Sequence, residues 1–175
     1  APNNRVVRFD LAGHGLSDAD PKGRYDAGTR VRHVLALMKR LGINKATLAG
    51  NSYGGLLAWR IAADYPKLVD RWILVDSAAF SITGVTDEPA PVPPGNGPAL
   101  VAHLEQFTLP APEAQLARIT APTLIIWGSK DHVVPLEQSY RLRDAIKGSE
   151  LVVYEGVGHA PQEEASAASL ATVRQ

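Results

Sequence analysis

A serine hydroxyl attacks a carbonyl carbon only when a neighbouring base takes its proton. Ser52 lies in Gly50-Asn51-Ser52-Tyr53-Gly54-Gly55. The apolar run Ala46-Thr47-Leu48-Ala49 precedes this stretch and Leu56-Leu57-Ala58-Trp59-Arg60-Ile61-Ala62-Ala63 follows it. Strand, Gly-x-Ser-x-Gly and helix in that order are the setting of a nucleophile elbow. The sharp turn strains the serine backbone and holds the hydroxyl out at the sheet's carboxyl edge. There the helix N-terminus favours a developing anion. Small residues two positions to either side let strand and helix approach each other. The backbone N–H of Tyr53, the residue after the nucleophile, is one expected oxyanion donor, and a second normally comes from a loop elsewhere.

Five histidines could supply the base: His14, His33, His103, His132 and His159. His33 falls on the polar side of an amphipathic helix, His103 in the expected lid, and His132 directly after an acid. His159 sits in Glu155-Gly156-Val157-Gly158-His159-Ala160-Pro161, a Gly-rich turn between an apolar run and a closing helix. Turns at strand carboxyl ends are where open α/β sheets carry their sites, so His159 is the expected base. The base needs an acid that fixes its tautomer and stabilises the imidazolium. Asp131, in Trp127-Gly128-Ser129-Lys130-Asp131, and Asp76, in Leu74-Val75-Asp76-Ser77, both end apolar runs. Asp131 is preferred because its strand neighbours the one leading to His159, and Asp76 is the rival.

The elements that must position these groups alternate. Val6–Phe9, Lys45–Ala49, Trp72–Val75, Thr123–Trp127 and Leu151–Tyr154 read as strands. Val31, Val34, Leu35, Met38 and Leu41 recur at helical spacing, and Gly42 stops that helix. The helix after the elbow is apolar nearly all round and should be buried, with Pro66 ending it. Leu136–Ile146 and Gln162–Arg174 are further expected helices. Strands that are continuous apolar runs between helices predict an α/β three-layer sandwich with a mostly parallel sheet. The run from Glu88 to Pro98, rich in proline, is incompatible with regular structure. Short helices are expected around Ala99–Gln106 and Glu113–Arg118. The expected division is therefore 1–79 as the first part of a core domain, 80–120 as a lid or excursion, and 121–175 as the second part.

Composition narrows the function. With 175 residues the chain can bury a real core. Lys+Arg and Asp+Glu are 18 each, which gives no basic surface for nucleic acid or an acidic membrane. The absence of cysteine excludes disulfides, thiolate catalysis and thiolate metal sites. Ala1-Pro2-Asn3-Asn4-Arg5 does not read as a signal peptide, so the expected location is cytoplasmic.

Four segments together resemble serine hydrolases of the α/β-hydrolase fold. They are Asp10-Leu11-Ala12-Gly13-His14-Gly15-Leu16-Ser17-Asp18, the Gly50–Gly55 elbow, Pro122-Thr123-Leu124-Ile125-Ile126-Trp127-Gly128-Ser129-Lys130-Asp131, and Gly156-Val157-Gly158-His159. The resemblance implies Ser52 as nucleophile, His159 as base and Asp131 as acid, with neither a cofactor nor a metal. It also implies that Gly13-His14-Gly15 is a structural loop, so His14 is not catalytic. A serine nucleophile argues against dehalogenases and epoxide hydrolases of this fold. The Gly-Asn-Ser-x-Gly-Gly variant is similar to that of esterases and of carbon–carbon bond hydrolases that cleave dienoate products of aromatic ring opening.

The chain departs from that family at its N-terminal side and in its lid. The family's first three strands precede a segment like Val6–Asp18, and the loop that supplies the second oxyanion donor goes with them. The excursion between Asp76 and Pro122 is also shorter than the usual lid. Unpaired buried backbone groups cost on the order of 1–3 kcal/mol each. The expected remedies are a longer chain with an N-terminal segment, a second chain supplying strands, or closure of the first strand directly onto the second. Three functions follow. The leading one is a cofactor-free serine hydrolase that cleaves an ester-like bond of a small apolar molecule through an acyl-enzyme. The others are a carbon–carbon bond hydrolase and a non-catalytic module or fragment with an incomplete site.

Overall fold

Apolar runs at four places along the chain assemble into one parallel sheet in the computed structural model, which describes residues 4–80, 97–107 and 112–175. The strands are β1 (Ala46–Asn51), β2 (Val69–Val75), β3 (Thr123–Gly128) and β4 (Glu150–Tyr154), adjacent in chain order. The register sets Asn51 beside Val75, Val75 beside Ile126, and Gly128 beside Tyr154. The carboxyl ends of the strands therefore form one rim. Helix α2 (Tyr53–Asp64) returns the chain from β1 to β2, and α5 (Glu137–Ala145) returns it from β3 to β4. Right-handed crossovers in this order put both helices on one face. Val75 and Ile126 point to the other face, where they border a cavity of about 330 Å³ beside Leu170 and Val173 of α7 (Ser166–Val173).

The chain divides into two units, residues 1–34 with 88–108 and residues 35–87 with 109–175. In the first, the Gly-rich loop is pinned by Gly13 N–H donating to Asp18 O at 2.9 Å and Ser17 Oγ donating to Asp10 O at 2.7 Å. Gly13 has φ +76°, and a Cβ there would lie 2.7 Å from Ala99 Cβ. Helix α3 (Gly97–Gln106) is tied in by Gln106, which accepts from Tyr25 N–H at 2.7 Å and donates to Gly23 O at 2.8 Å. Helix α1 (Ala27–Arg40) starts at Asp26, whose carboxylate accepts from Thr29 N–H at 2.9 Å. It stops at Gly42, φ +68°, with Ile43 N–H reaching back to Met38 O at 2.9 Å, a Schellman ending.

The second unit holds the sheet. Trp59, Trp72 and Trp127 are fully buried, and each indole N–H finds an acceptor: Ala78 O, Thr123 Oγ1 and Val134 O respectively. Those bonds make the burial of three polar rings tolerable. Helix α2 is buried on nearly every side, as its composition predicts. A single turn of 3₁₀-helix (Pro66–Leu68) leads from it into β2, and α4 (Glu113–Leu116) precedes β3.

Some expectations need correction. Val6–Phe9 is not a strand: no strand among the described residues pairs with it, and Val6, Val7 and Phe9 are 65%, 38% and 49% exposed. The apolar pattern is there, but a strand needs a neighbour. Among the described residues β1 pairs with β2 alone, and Val6–Phe9 is not part of the sheet. The closing helix is two helices, α6 (Pro161–Glu164) and α7, separated at Ala165 with φ −125° and ψ 44°. The Glu164 carboxylate turns back onto the N–H groups of Gly158 and Ala160 at the start of α6. Gly97 and Pro98 lie in the first turn of α3, where proline is tolerated. The rest of the proline-rich run falls outside the described residues. Among those residues no helix is long and apolar enough to cross a membrane.

These burials set an order of sensitivity to mutation. Leu74, with no exposed surface, should cost about 2–5 kcal/mol when changed to alanine. Val6→Ser should stay within about 0.5 kcal/mol of the parent. Urea unfolding of both variants checks the contrast.

Candidate active site

The end of β1 and the start of α2 are forced together at Ser52. Its φ is 53° and its ψ −117°, a left-handed conformation that costs a residue with a Cβ about 1–3 kcal/mol. Neighbouring hydrogen bonds hold it there. Ser52 N–H donates to Val75 O at 2.9 Å, and Ser52 O accepts from Ala78 N–H at 3.1 Å and Gly55 N–H at 3.0 Å. A serine before a helix ordinarily caps it through its hydroxyl. Here there is no side-chain cap bond, so the local structure leaves Oγ to other uses. Two of the three glycines are imposed by proximity. A Cβ on Gly50 would collide with the backbone of Gly54, and one on Gly55 with Ser77. A Cβ on Gly54 would meet no atom within 4 Å, so the close approach requires Gly50 and Gly55 but not Gly54. Tyr53 is the first residue of α2, so its N–H belongs to the helix N-terminus.

The turn after β3 carries Asp131. Its side chain is closed off from water, with Oδ1 accepting from Val133 N–H at 2.8 Å and Val134 N–H at 2.9 Å. Its Oδ2 lies 2.8 Å from Nδ1 of His159, whose side chain is 26% exposed. A carboxylate is acceptor-only, so this pairing assigns the proton to Nδ1 and leaves Nε2 as the basic nitrogen. The histidine loop is fixed by contacts that sequence reasoning did not anticipate. Gly128 has no room for a Cβ against the carbonyls of Val157 and Gly158. Lys130 N–H donates to Val157 O at 2.8 Å, and Gly156 N–H to Ser129 Oγ at 2.8 Å. The Glu164 carboxylate accepts from Gly158 N–H at 2.9 Å and Ala160 N–H at 3.0 Å. Asn51 joins this loop to the elbow: its Nδ2 donates to Val75 O and to His159 O, both at 3.1 Å. The position next to the serine was the available signal for Asn51, but nothing in the sequence marks Glu164.

Of the expected triad, the structure therefore joins His159 to Asp131 directly and ties the backbone of His159 to the residue preceding Ser52. Ser52 Oγ makes no hydrogen bond among the described residues. Such contacts are commonly long in unliganded enzymes and tighten when substrate binds.

The rival acid is close by in a different role. Asp76 follows β2 with φ 43° and is fully buried. Its Oδ1 accepts from Gly128 N–H at 3.0 Å, and its Oδ2 has no hydrogen-bond partner among the described residues. Burial pushes its carboxyl up to about 8; the Gly128 N–H opposes the rise, and the charges of Asp131 and Glu164 add to it. Donor atoms of Asp76, Asp131 and His159 lie within 4.8 Å of one another, the one such cluster among the described residues. It is poorly suited to a cation, because the nitrogen and oxygen best placed to bind one are hydrogen-bonded to each other.

The other histidines lie elsewhere. His14 and His103 meet edge to face, ring centroids 5.5 Å apart, in the unit that contains Arg30. Burial, and after it the Arg30 guanidinium, lowers both, His103 to about 4. This neutral pair fits a structural role for the Gly13-His14-Gly15 loop. His33 Nε2 is 3.8 Å from Asp20, and His132 is exposed.

A family model for the alpha/beta hydrolase fold matches residues 3–110 and 91–166. A 2-hydroxymuconate semialdehyde hydrolase of Pseudomonas sp. strain CF600 is 28% identical, the match covering 95% of this chain and 74% of the relative. Lipase 3 of Moraxella sp. strain TA144 is 26% identical over 89% of this chain and 64% of its own length. Among solved structures, a meta-cleavage product hydrolase from Pseudomonas fluorescens IP01 superposes with a TM-score of 0.77 at 25% identity, covering 94% of this chain and 76% of that one. The chain spans 62% of the length of matching mycobacterial relatives.

The elbow contacts give a sharp mutational contrast. Gly50→Ala should destabilise by about 3 kcal/mol or more, since the new methyl group meets backbone rather than a movable side chain. Gly54→Ala, in the first turn of α2 with open space around it, should be neutral or stabilising by up to about 1 kcal/mol. Thermal or urea denaturation of the two variants tests this, and equal losses would contradict the packing.

Proposed function

We propose that this chain, which belongs to the α/β-hydrolase fold family, is a serine hydrolase that cleaves an ester-like bond of a small apolar substrate. The observation that carries this is the strained Ser52 elbow, joined through Asn51 to a loop whose histidine is hydrogen-bonded to a buried aspartate. In the proposed reaction Ser52 Oγ attacks the carbonyl carbon while its proton passes to Nε2 of His159. Asp131 stabilises the resulting imidazolium through Nδ1–H. The oxyanion forms at the N-terminus of α2, with the Tyr53 N–H as one donor. Collapse expels the leaving group, which takes the proton from His159, and leaves an acyl-serine. Water, deprotonated by the same imidazole, attacks the acyl carbon and frees Ser52. The chemistry draws on these side chains alone.

The second reading, a carbon–carbon bond hydrolase acting on dienoate ring-cleavage products, uses the same residues. It is favoured by the Gly-Asn-Ser-x-Gly-Gly elbow and by the likeness to 2-hydroxymuconate semialdehyde hydrolase. The two readings differ in substrate preference, which kcat/KM for a dienoate against a p-nitrophenyl ester decides.

A fluorophosphonate probe should label folded protein at Ser52, and a p-nitrophenyl ester should give a burst followed by slower turnover. Ser52→Ala should lose label and burst and lower kcat on the order of 10⁴-fold or more. Activity should fall on the acid side as His159 takes up a proton. Full turnover by Ser52→Ala would refute the proposal. Failure of the folded parent to label would favour a non-catalytic module.

A further inference from the structure

Two buried carboxyl groups face one another behind His159, and only one of them is equipped to be an anion. Asp131 receives two backbone N–H groups on Oδ1 and the imidazole on Oδ2. Asp76 receives a single N–H, from Gly128, on Oδ1, while its Oδ2 is buried without a partner. Donor atoms of the two residues and of His159 lie within 4.8 Å of one another. Two anions at that distance, cut off from water, repel strongly, and the proton goes to the carboxyl with fewer donors. The third acid in the vicinity does not relieve the pair. Glu164 on α6 already accepts from the N–H groups of Gly158 and Ala160, and its charge adds to the repulsion.

We infer that Asp76 is a positioning residue, a neutral carboxylic acid whose buried Oδ2 carries a proton directed at Asp131. In this arrangement the Asp131 carboxylate remains the one ionised member of the buried carboxyl pair, and its orientation toward Nδ1 is fixed from both sides. The left-handed backbone of Asp76, φ 43°, brings its side chain to Gly128 at the rim, a conformation that a residue with a Cβ keeps only when its surroundings hold it. The inference rests on the serine-hydrolase reading for its catalytic consequence but not for the location of the proton.

Two variants separate these parts. Asp76→Asn keeps the acceptor for Gly128 and supplies a permanent N–H donor where the proton would be. Asp76→Leu removes both. The first measurement is melting temperature against pH. A carboxyl raised from 3.8 to about 8 binds a proton in the folded state that the unfolded chain has released. Its stabilising contribution is therefore complete below about pH 4 and lost as pH rises through 8. Asparagine does not titrate, so Asp76→Asn should gain on the parent steadily from pH 4 to 8, by more than about 4 °C at the upper end. A constant difference across that range would overturn the inference, with or without activity. The second measurement is turnover. Asp76→Leu should lower kcat about tenfold or more with little change in KM, and Asp76→Asn should recover most of that loss. If Asp76→Asn were as impaired as Asp76→Leu, Asp76 would act as an anion and the inference would fail. A parent that neither labels nor turns over would refute the hydrolase reading, while the pH series would still locate the proton.

Discussion

An ionised carboxylate shut away from water survives only where donors converge on it, and the Asp131–His159 pair depends on that constraint. Three elements meet it together. The turn after β3 supplies the N–H groups of Val133 and Val134, the loop after β4 supplies the imidazole, and the rim of β2 carries the neutral Asp76. If the two adjacent strands were one residue out of register, Asp131 and His159 would no longer face each other. The tight contact at Gly128, beside Tyr154 in the sheet, fixes that register where it matters.

The same rim concentrates strain. Ser52 and Asp76 are the non-glycine residues with positive φ among those described, and each immediately follows a strand, β1 and β2, that pairs with the other. Each turns its side chain away from the direction a continuing strand would give it. Both strained backbones lie in shared hydrogen bonds: Ser52 N–H with Val75 O, Ser52 O with Ala78 N–H, and Asp76 N–H with Ile126 O at 3.0 Å. Strain of this kind persists only when the surroundings over-determine it. Here the structure at one strand end holds the next, so the two functional turns are supported as a unit.

Much of this was legible in the sequence because the carriers are local. The four strands are apolar runs that end at Gly50, Asp76, Gly128 and Glu155, α2 is an apolar block that ends before Pro66, and Gly42 stops α1. Ser52, Asp131 and His159 could be nominated because each sits in a short Gly-rich turn with its own pattern. The non-local features were not legible. Val6–Phe9 has a strand's composition without a strand's neighbour, and pairing is a property of two segments. Asn51 and Glu164 act through hydrogen bonds to a backbone that sequence spacing does not locate. Asp76 and Asp131 both follow apolar runs, and the sequence favours Asp131 only by its strand's place next to the one leading to His159. What separates them is the number of donors each receives, and that emerges only when the strands are laid side by side.

The strand that leads into Ser52 is also the edge of the sheet among the described residues, with β2 its single partner. An edge strand exposes unpaired N–H and C=O groups on its outer side. If the elbow were held from that side, its geometry would depend on strands beyond the four among the described residues. The bonds that fix it come instead from β2 and from the histidine loop: Val75 O, Ala78 N–H, and Asn51 reaching His159 O. The conformation of Ser52 is therefore set by bonds from β2 and the histidine loop. Acid, base and elbow all lie on the unit formed by residues 35–87 and 109–175, which unites the groups proposed for proton transfer in one body.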